Sequence, residues 1–175
     1  MKIAFVGKAG AGKTTAARFL EEKLNYIRLS FATELKEEIV DEGLATWEEI
    51  EAKTPKIRSL FQTYGMEKRA EDPTHWIKDV EWKLHEFQNL GYENFVIDDL
   101  RFLLEAEWAK KNGFILIRLL RLEEYEHPGI TEENANHVSE TEQDDIITQV
   151  HFQVHDLENL YEKLTTFLIV NGELE

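Results

Sequence analysis

The chain has 175 residues, of which 42% are hydrophobic, and its 35 acidic and 20 basic side chains give a formal net charge of -15. Such an acidic surface repels polyanions, so no nucleic acid is expected as a partner. The absence of cysteine excludes disulfides and thiolate metal sites. The sequence shows no signal peptide or membrane span, and we expect a single cytoplasmic domain over residues 1–175 with no membrane partner.

The chain begins with an apolar strand at residues 2–6, a glycine-rich loop and an amphipathic helix at 14–24. Residues 7–14 have the pattern G-x-x-x-x-G-K-[ST] of a Walker A phosphate loop. Its glycines allow backbone N–H groups to point at phosphate oxygens, and the start of the helix adds partial positive charge. A chance glycine- and alanine-rich turn is the alternative, but the flanking strand and helix favour a nucleotide site.

In this loop we expect Lys13 to act as a catalytic cation at the β- and γ-phosphates of ATP, and the Thr14 hydroxyl to bind Mg²⁺. We also expect Lys13 to be partly solvated without nucleotide, so that its removal leaves the fold intact. The residues predicted to bind ATP here are Gly7, Ala9, Gly10, Ala11, Gly12, Lys13, Thr14 and Thr15.

Strands and helices alternate through the rest of the chain. Further strands are predicted at 26–31, 94–99, 114–119 and 151–154, and helices at 32–40, 46–53, 56–68, 74–89, 102–111 and 156–166. This alternation indicates a parallel sheet with helices on both faces. With the phosphate loop after the first strand, it predicts a P-loop three-layer α/β/α sandwich with five parallel strands. The helices at about 30–90 would form an acceptor-binding lobe.

Several segments, laid end to end, point to one family. The sequence resembles bacteriophage deoxynucleoside monophosphate kinases in its phosphate loop, Gln62-x-x-Gly65, Asp98-Asp99-x-Arg101-Phe102, Arg118-x-x-Arg121 and His137-x-Ser139-Glu140. The resemblance extends from residue 2 to about 165, and dephospho-CoA kinases and phosphomevalonate kinases are more distantly similar. It implies a small kinase of deoxynucleotide biosynthesis that moves the γ-phosphoryl group of ATP, with Mg²⁺, onto a deoxynucleoside monophosphate.

Asp98 and Asp99 follow the apolar run of the third strand in a Walker B-like pattern. The carboxyl ends of parallel strands meet at one edge of the sheet, so both acids are expected beside the phosphate loop. We assign Asp98, which directly continues the apolar run, a catalytic role in the magnesium shell, and Asp99 a role in orienting the acceptor phosphate or sugar. Sequence alone does not rank the two, and a helix-capping pair is the alternative.

Phosphoryl transfer requires cations that neutralise negative charge, and this chain has few of them. Arg101 lies three residues beyond Asp98 and is predicted to contact the acceptor and act in catalysis; a salt bridge to Asp98 or Glu105 is the alternative. Arg118 and Arg121 follow the fourth strand and are predicted to contact ATP, with Arg118 also catalytic. Surface ion pairs with neighbouring glutamates would be the structural alternative for both.

The predicted acceptor lobe contains its own candidates. Arg58 and Arg69 flank the Gln62-x-x-Gly65 segment, and a guanidinium can bind a phosphate bidentately. Gln62 could hydrogen-bond the base, and Lys36 fits either a phosphate contact or a solvated helix face. The aromatic residues that could stack on the base, or equally belong to the core, are Phe61, Tyr64 and Trp76.

Residues 121–145 are acidic and turn-rich and are expected to form a lid. His137 and Glu140 could orient an arginine or a substrate hydroxyl there, although Ser139 and Glu142 also match a helix capping box. Residues 122–155 contain no lysine or arginine, unlike the lids of many nucleotide kinases. The histidines show no ligand spacing, so no zinc site is predicted.

Two other functions stay open. One is a P-loop kinase for another small molecule, such as dephospho-CoA or a phosphorylated metabolite, and the other is a regulatory protein that binds a nucleotide without transfer. The pairing of Asp98 with Arg101 argues against the second, since a pure binder needs no acceptor-side arginine. The missing N-K-x-D pattern argues against guanine specificity. Both a monomer and a homodimer remain open.

Overall fold

Five parallel strands form the centre of the fold in the computed structural model, which describes residues 1–121 and 141–174. The strands are β1 (Lys2–Val6), β2 (Ile27–Leu29), β3 (Phe95–Ile97), β4 (Ile115–Arg121) and β5 (Val150–Val154). Their order is β2-β3-β1-β4-β5, and each pair of neighbours is parallel. The predicted parallel sheet is therefore confirmed, and the phosphate loop leaves its central strand.

Helices connect the strands and cover the sheet. The helices of the described residues are α1 (Lys13–Leu24), α2 (Phe31–Asp41), α3 (Trp47–Glu51), α4 (Pro55–Glu71), α5 (His75–Asn89), α6 (Leu103–Lys111), α7 (Leu157–Val170) and a 3-10 helix (Glu142–Asp145). Ser30, Thr54 and Asp156 each accept a hydrogen bond from a backbone N–H in a first turn. These side chains satisfy donors that a helix leaves unpaired, and so they define where α2, α4 and α7 begin.

The residues of β1 point alternately into two apolar cores. On one face Ala4 and Val6 belong to a core shared with α2, α4, α5 and α6. On the other face Ile3 and Phe5 pack with residues of α1 and α7. Successive strand side chains point to opposite faces, so an unbroken apolar strand needs cover on both sides. The layers are those of the predicted α/β/α sandwich.

Some boundaries differ from those predicted. α7 continues to Val170 rather than ending near 166, because Leu168 in its last turns is fully buried. β3 spans only Phe95–Ile97, and the two acids that follow it direct their carboxylates to Arg28 and to the start of α2. Of the predicted lid, residues 122–140 lie outside the described part of the chain. No helix within the described ranges is long and apolar enough to cross a membrane.

A carboxylate on α2 joins three helices, α2, α4 and α5, which we call the helical lobe. Glu38 accepts a hydrogen bond from the Tyr64 hydroxyl at 2.8 Å and forms an ion pair with the Lys68 ammonium at 2.6 Å. Its other oxygen lies 2.7 Å from Nε2 of His75. Burial alone would raise the pKa of Glu38, but hydrogen bonds from Lys68, His75 and Tyr64 outweigh it and lower the pKa to about 2.

We expect Glu38→Gln to lower the free energy of unfolding by about 1–2 kcal/mol at pH 7, allowing for the partial exposure of the cluster. The folded pKa lies below the ordinary value of 4.5. The stabilisation is therefore present above about pH 4.5 and is lost as the pH falls toward 2. Urea unfolding followed by tryptophan fluorescence at pH 7, 5 and 3 measures the difference between variant and wild type.

The matched control is Glu37→Gln, which removes an exposed acid from the same helix. It is expected to change the free energy of unfolding by less than about 0.5 kcal/mol. A loss in Glu38→Gln that stays constant from pH 7 to pH 3 would contradict the role assigned to Glu38.

Candidate active site

The phosphate loop curls between β1 and α1 in a conformation that its glycines permit. Gly7, Gly10 and Gly12 have φ angles of 150°, 82° and 96°. A Cβ atom at Gly7 would lie 2.6 Å from the carbonyl oxygen of Leu119 on β4, so a larger residue would displace the loop from the sheet. The loop thus has the curled backbone that a phosphate-binding site needs.

Lys13 is covered by the loop that it follows. Its ammonium donates hydrogen bonds to the carbonyl oxygens of Gly7 and, at 3.0 Å, of Lys8. The residue is only 8% exposed, so the expectation of a partly solvated Lys13 is wrong. The long side chain turns back over its own loop, where the carbonyl oxygens compensate its charge. Removing it therefore affects loop packing as well as any phosphate contact.

A cleft of about 420 Å³, which we call the phosphate cleft, opens beside the loop and brings many predicted residues together. It is lined by Ala9, Gly10, Gly12, Lys13, Thr14, Thr15, Arg58, Asp98, Asp99, Arg101 and Arg121. Thr14 is exposed to it at the first turn of α1. A second cleft of about 240 Å³ contains the other predicted loop residues, Gly7 and Ala11. The elements that converge here are the loop, α4, the end of β3 and the end of β4.

Asp98 is held by an arginine that the sequence did not single out. Both carboxylate oxygens accept from Arg28 of β2, at 2.9 Å from Nε and 2.7 Å from Nη2. Asp98 is 3% exposed, so this bidentate pair compensates a nearly buried charge. The sequence signal was an arginine inside the short apolar strand 27–29, which needs a partner once the strand is covered.

Asp99 caps a helix, as the alternative interpretation allowed. One of its oxygens accepts from the Ser30 hydroxyl at 2.8 Å and the backbone N–H of Ala32 at 2.7 Å; the other accepts from the N–H of Phe31 at 3.3 Å. These donors lie at the start of α2, a region of partial positive charge. Burial and the charge of Asp98 raise the pKa of Asp99.

A third cavity, a pocket of about 170 Å³, lies between the helical lobe and the start of α6. It is lined by Phe31, Ala32, Leu35, Arg58, Phe61, Gln62, Met66, Arg69, Trp76, Asp99, Arg101, Phe102 and Glu105. Five predicted substrate contacts of the lobe and sheet edge meet here with Trp76, whose 2% exposure marks it as a core residue in the pocket wall. Lys36 lines neither this pocket nor the phosphate cleft.

Arg69 and Glu105 form a charged wall of that pocket. Arg69 donates to a Glu105 oxygen at 2.9 Å and to the Gly65 carbonyl oxygen at 3.2 Å, and its guanidinium lies 3.9 Å from the ring centre of Phe102. The other Glu105 oxygen accepts from the backbone N–H groups of Arg101 and Phe102. Burial raises the pKa of Glu105. Sequence reasoning treated Glu105 only as an alternative partner of Arg101 and missed this position.

The two arginines of β4 have different surroundings. Arg118 donates to the carbonyl oxygens of Gln143 at 2.9 Å and Ile146 at 2.6 Å, which ties the 3-10 helix to the strand. Arg121 donates to the Gly10 carbonyl oxygen at 3.3 Å and lines the phosphate cleft. Arg118 does not line the phosphate cleft; it lines the smaller cleft of about 240 Å³, which Arg121 lines as well. The predicted lid residues His137 and Glu140 lie outside the described residues.

Comparisons with known proteins extend this description. No family model matches the chain. A protein of Acanthamoeba polyphaga mimivirus named "Putative deoxynucleotide monophosphate kinase" is 29% identical over 166 residues, with 80% of each chain covered. The structure is similar to a shikimate kinase from Aquifex aeolicus, with a TM-score of 0.53, 18% identity and 98% of each chain covered. It is also similar to a shikimate kinase from Acinetobacter baumannii in complex with shikimate, with a TM-score of 0.51, 19% identity and coverage of 99% and 95%.

The two solved kinases share the fold of this chain, whose phosphate loop predicts a site for the phosphoryl donor. The chain is an ATP-dependent phosphotransferase with a P-loop kinase fold. The solved structures support the fold of this kinase, and the mimivirus relative confirms the similarity to deoxynucleoside monophosphate kinases inferred from sequence.

Lys13→Ala is expected to lower the turnover of this kinase by about 10²–10³-fold, because the motif predicts that the Lys13 ammonium neutralises the developing charge of the transferred phosphoryl group. The burial of Lys13 adds an expected cost of about 1–2 kcal/mol in stability. Steady-state rates and thermal unfolding measured on the same preparation separate the two effects. Near-normal turnover in a folded Lys13→Ala protein would contradict the assignment of the loop.

The matched control is Lys8→Ala, in the same loop. The Lys8 side chain is 73% exposed and its ammonium lies 3.5 Å from an Asp144 oxygen. An exposed pair of this kind contributes little, so this variant is expected to keep its turnover within about threefold of wild type.

Proposed function

We propose that this kinase transfers the γ-phosphoryl group of ATP to a deoxynucleoside monophosphate, giving ADP and the deoxynucleoside diphosphate. The observation that carries the proposal is that Arg58, Asp99 and Arg101 line both the phosphate cleft and the neighbouring pocket. Two phosphorylated ligands bound in these cavities would meet at the same side chains. Holding two reactants at one junction is the main requirement of phosphoryl transfer.

The donor site is proposed to be the cleft at the phosphate loop. Backbone N–H groups of the curled loop and the start of α1 would receive the ATP phosphates. The Lys13 ammonium now donates to the carbonyl oxygens of Gly7 and Lys8. With nucleotide bound it would donate to phosphate oxygens in their place. Arg121, which already contacts the loop at Gly10, would add charge at the mouth of the cleft.

The residues of the cleft fit a magnesium ion that arrives with the nucleotide. Thr14 is exposed at the first turn of α1, and its hydroxyl would hold the ion. Asp98 lines the same cleft with both carboxylate oxygens paired to Arg28, so it would hold the ion through water. Within residues 1–121 and 141–174, no group of three His, Cys, Asp or Glu side chains could hold a metal alone. Mg²⁺ is commonly held by one or two carboxylates together with substrate phosphates. When bound, it neutralises charge on the transferred phosphate.

The acceptor is proposed to bind in the pocket of the helical lobe, with its phosphate toward Arg58 and Arg101. Both side chains reach the junction, and guanidinium groups bind phosphate oxygens well. Gln62 and Phe61 lie deeper in the lobe, where they could hydrogen-bond and stack on a base. Arg69 is held by Glu105 and is proposed to shape the wall. The name of the mimivirus relative supports a deoxynucleotide as the acceptor.

A panel assay tests the acceptor class. With ATP and Mg²⁺, coupled detection of ADP is expected to show turnover with at least one deoxynucleoside monophosphate. Ribonucleoside monophosphates, dephospho-CoA and shikimate serve as the comparison acceptors under identical conditions. Turnover with one of the last two and with no nucleotide, or normal ATP binding with no turnover on any acceptor, would contradict the proposal.

Arg101→Ala is expected to raise the acceptor KM or lower kcat by about 10–100-fold, with the Kd of ATP unchanged within about twofold. The reason is that Arg101 lines the junction, whereas the loop is proposed to supply most contacts to ATP. Steady-state kinetics with varied acceptor, together with equilibrium ATP binding, measure the two quantities. Arg18→Ala, which removes an exposed arginine from α1, is the control. An equal loss of ATP affinity in Arg101→Ala would count against its acceptor-side role.

A further inference from the structure

Arg28 is joined to the phosphate cleft by its ion pair with Asp98. Asp98 lines the phosphate cleft. Arg28 lies on the edge strand β2 and lines neither the phosphate cleft nor the pocket of the helical lobe. Its guanidinium reaches both oxygens of the Asp98 carboxylate in a bidentate arrangement. Arg28 can therefore act on a bound nucleotide without touching it, through its own charge and through the charge and orientation of that carboxylate.

The charges at this edge of the sheet give the pair its importance. Asp98 and Asp99 are adjacent carboxylates in a cleft proposed to receive phosphates, and like charges at short range in a partly desolvated site repel strongly. Asp99 is compensated by a hydroxyl and by backbone dipoles of α2. Asp98 instead receives the full positive charge of a guanidinium, which leaves this pair with no net charge.

We propose that Arg28 is a positioning residue that cancels the charge of Asp98 and thereby allows the cleft to hold a nucleotide polyphosphate. The ion pair keeps an oriented carboxylate at the sheet edge while removing its repulsion toward the phosphates. This inference rests on the proposed nucleotide cleft. It adds a specific electrostatic role for a residue that lies outside both cavities.

The test is equilibrium binding of ADP by titration calorimetry in EDTA, where no divalent cation offsets the charges. Arg28→Gln is expected to weaken ADP binding about tenfold at 50 mM salt (about 1.4 kcal/mol), and the deficit relative to wild type should shrink as salt rises toward about 0.5 M. Asp98→Asn leaves the Arg28 charge unbalanced and is expected to tighten binding about tenfold. The double variant Arg28→Gln/Asp98→Asn should return to within about threefold of wild type.

Two further variants separate the charge of Arg28 from its geometry and from the net charge of the chain. Arg28→Lys keeps the charge but loses the bidentate geometry, and ADP affinity is expected to stay within about threefold of wild type. Arg18→Gln changes the net charge of the chain by the same amount from an exposed position on α1, and it should leave ADP binding unchanged within about twofold. A purely structural role for Arg28 would alter thermal unfolding without a charge-dependent, salt-sensitive change in ADP affinity.

Folding of each variant is followed by circular dichroism, since Arg28→Gln leaves a nearly buried carboxylate unpaired. If that variant does not fold, Asp98→Asn and the double variant still decide the question. Unchanged ADP affinity and salt dependence in folded Asp98→Asn would overturn the inference and leave the proposed function intact. Failure of the wild-type protein to bind ADP or ATP, with or without Mg²⁺, would overturn the nucleotide cleft itself and the inference with it.

Discussion

Two consecutive carboxylates stand at the edge of the sheet beside the phosphate loop, and much of the surrounding structure compensates their charge. β2 contributes Arg28 to Asp98, and the start of α2 contributes Ser30 and its backbone N–H groups to Asp99. Both elements can do this because β2 is the direct neighbour of β3 in the sheet. The strand order, the residue at which α2 begins and the charge balance of the cleft therefore depend on one another. A buried charge is tolerated only with such partners.

The same principle extends from the sheet edge into the helical lobe. Glu105, in the first turn of α6, accepts hydrogen bonds from the backbone before the helix, and it also binds Arg69 of α4. Gly65 allows this approach, because a Cβ atom there would lie 3.2 Å from the Arg69 guanidinium. Glu38 ties α2, α4 and α5 together on another side of the lobe. The Arg69–Glu105 ion pair thus forms one wall of the pocket, and Arg58 and Arg101 lie at its junction with the phosphate cleft.

The fold and the location of the site were predictable because their signals are local. The phosphate loop and the acids after β3 each occupy a short continuous stretch, and the alternation of strands and helices is read from neighbouring residues. In the fold, the loop and the acids line one cleft at the edge of the sheet. The partners of those acids were not predictable, because Arg28 and Asp98 are 70 residues apart in the chain and only strand order brings them together. The burial of Lys13 was missed for a related reason. The motif predicts that Lys13 binds phosphate, but it does not predict which carbonyl oxygens the ammonium contacts when no nucleotide is bound. The assignment of Arg69 to a phosphate likewise could not take the buried Glu105 into account.

The double attachment of Glu105 has a consequence for altering the choice of acceptor. One carboxylate holds the backbone of Arg101 and the side chain of Arg69, so the junction and the pocket wall cannot be redesigned independently. Phe61 and Gln62 line the same cavity from α4, and neither belongs to this ion pair; Phe61 packs against the edge of the apolar core. Diversity in acceptor shape is therefore available at these two positions, whereas the Arg69–Glu105 pair is a fixed part of the frame that any library of variants should retain.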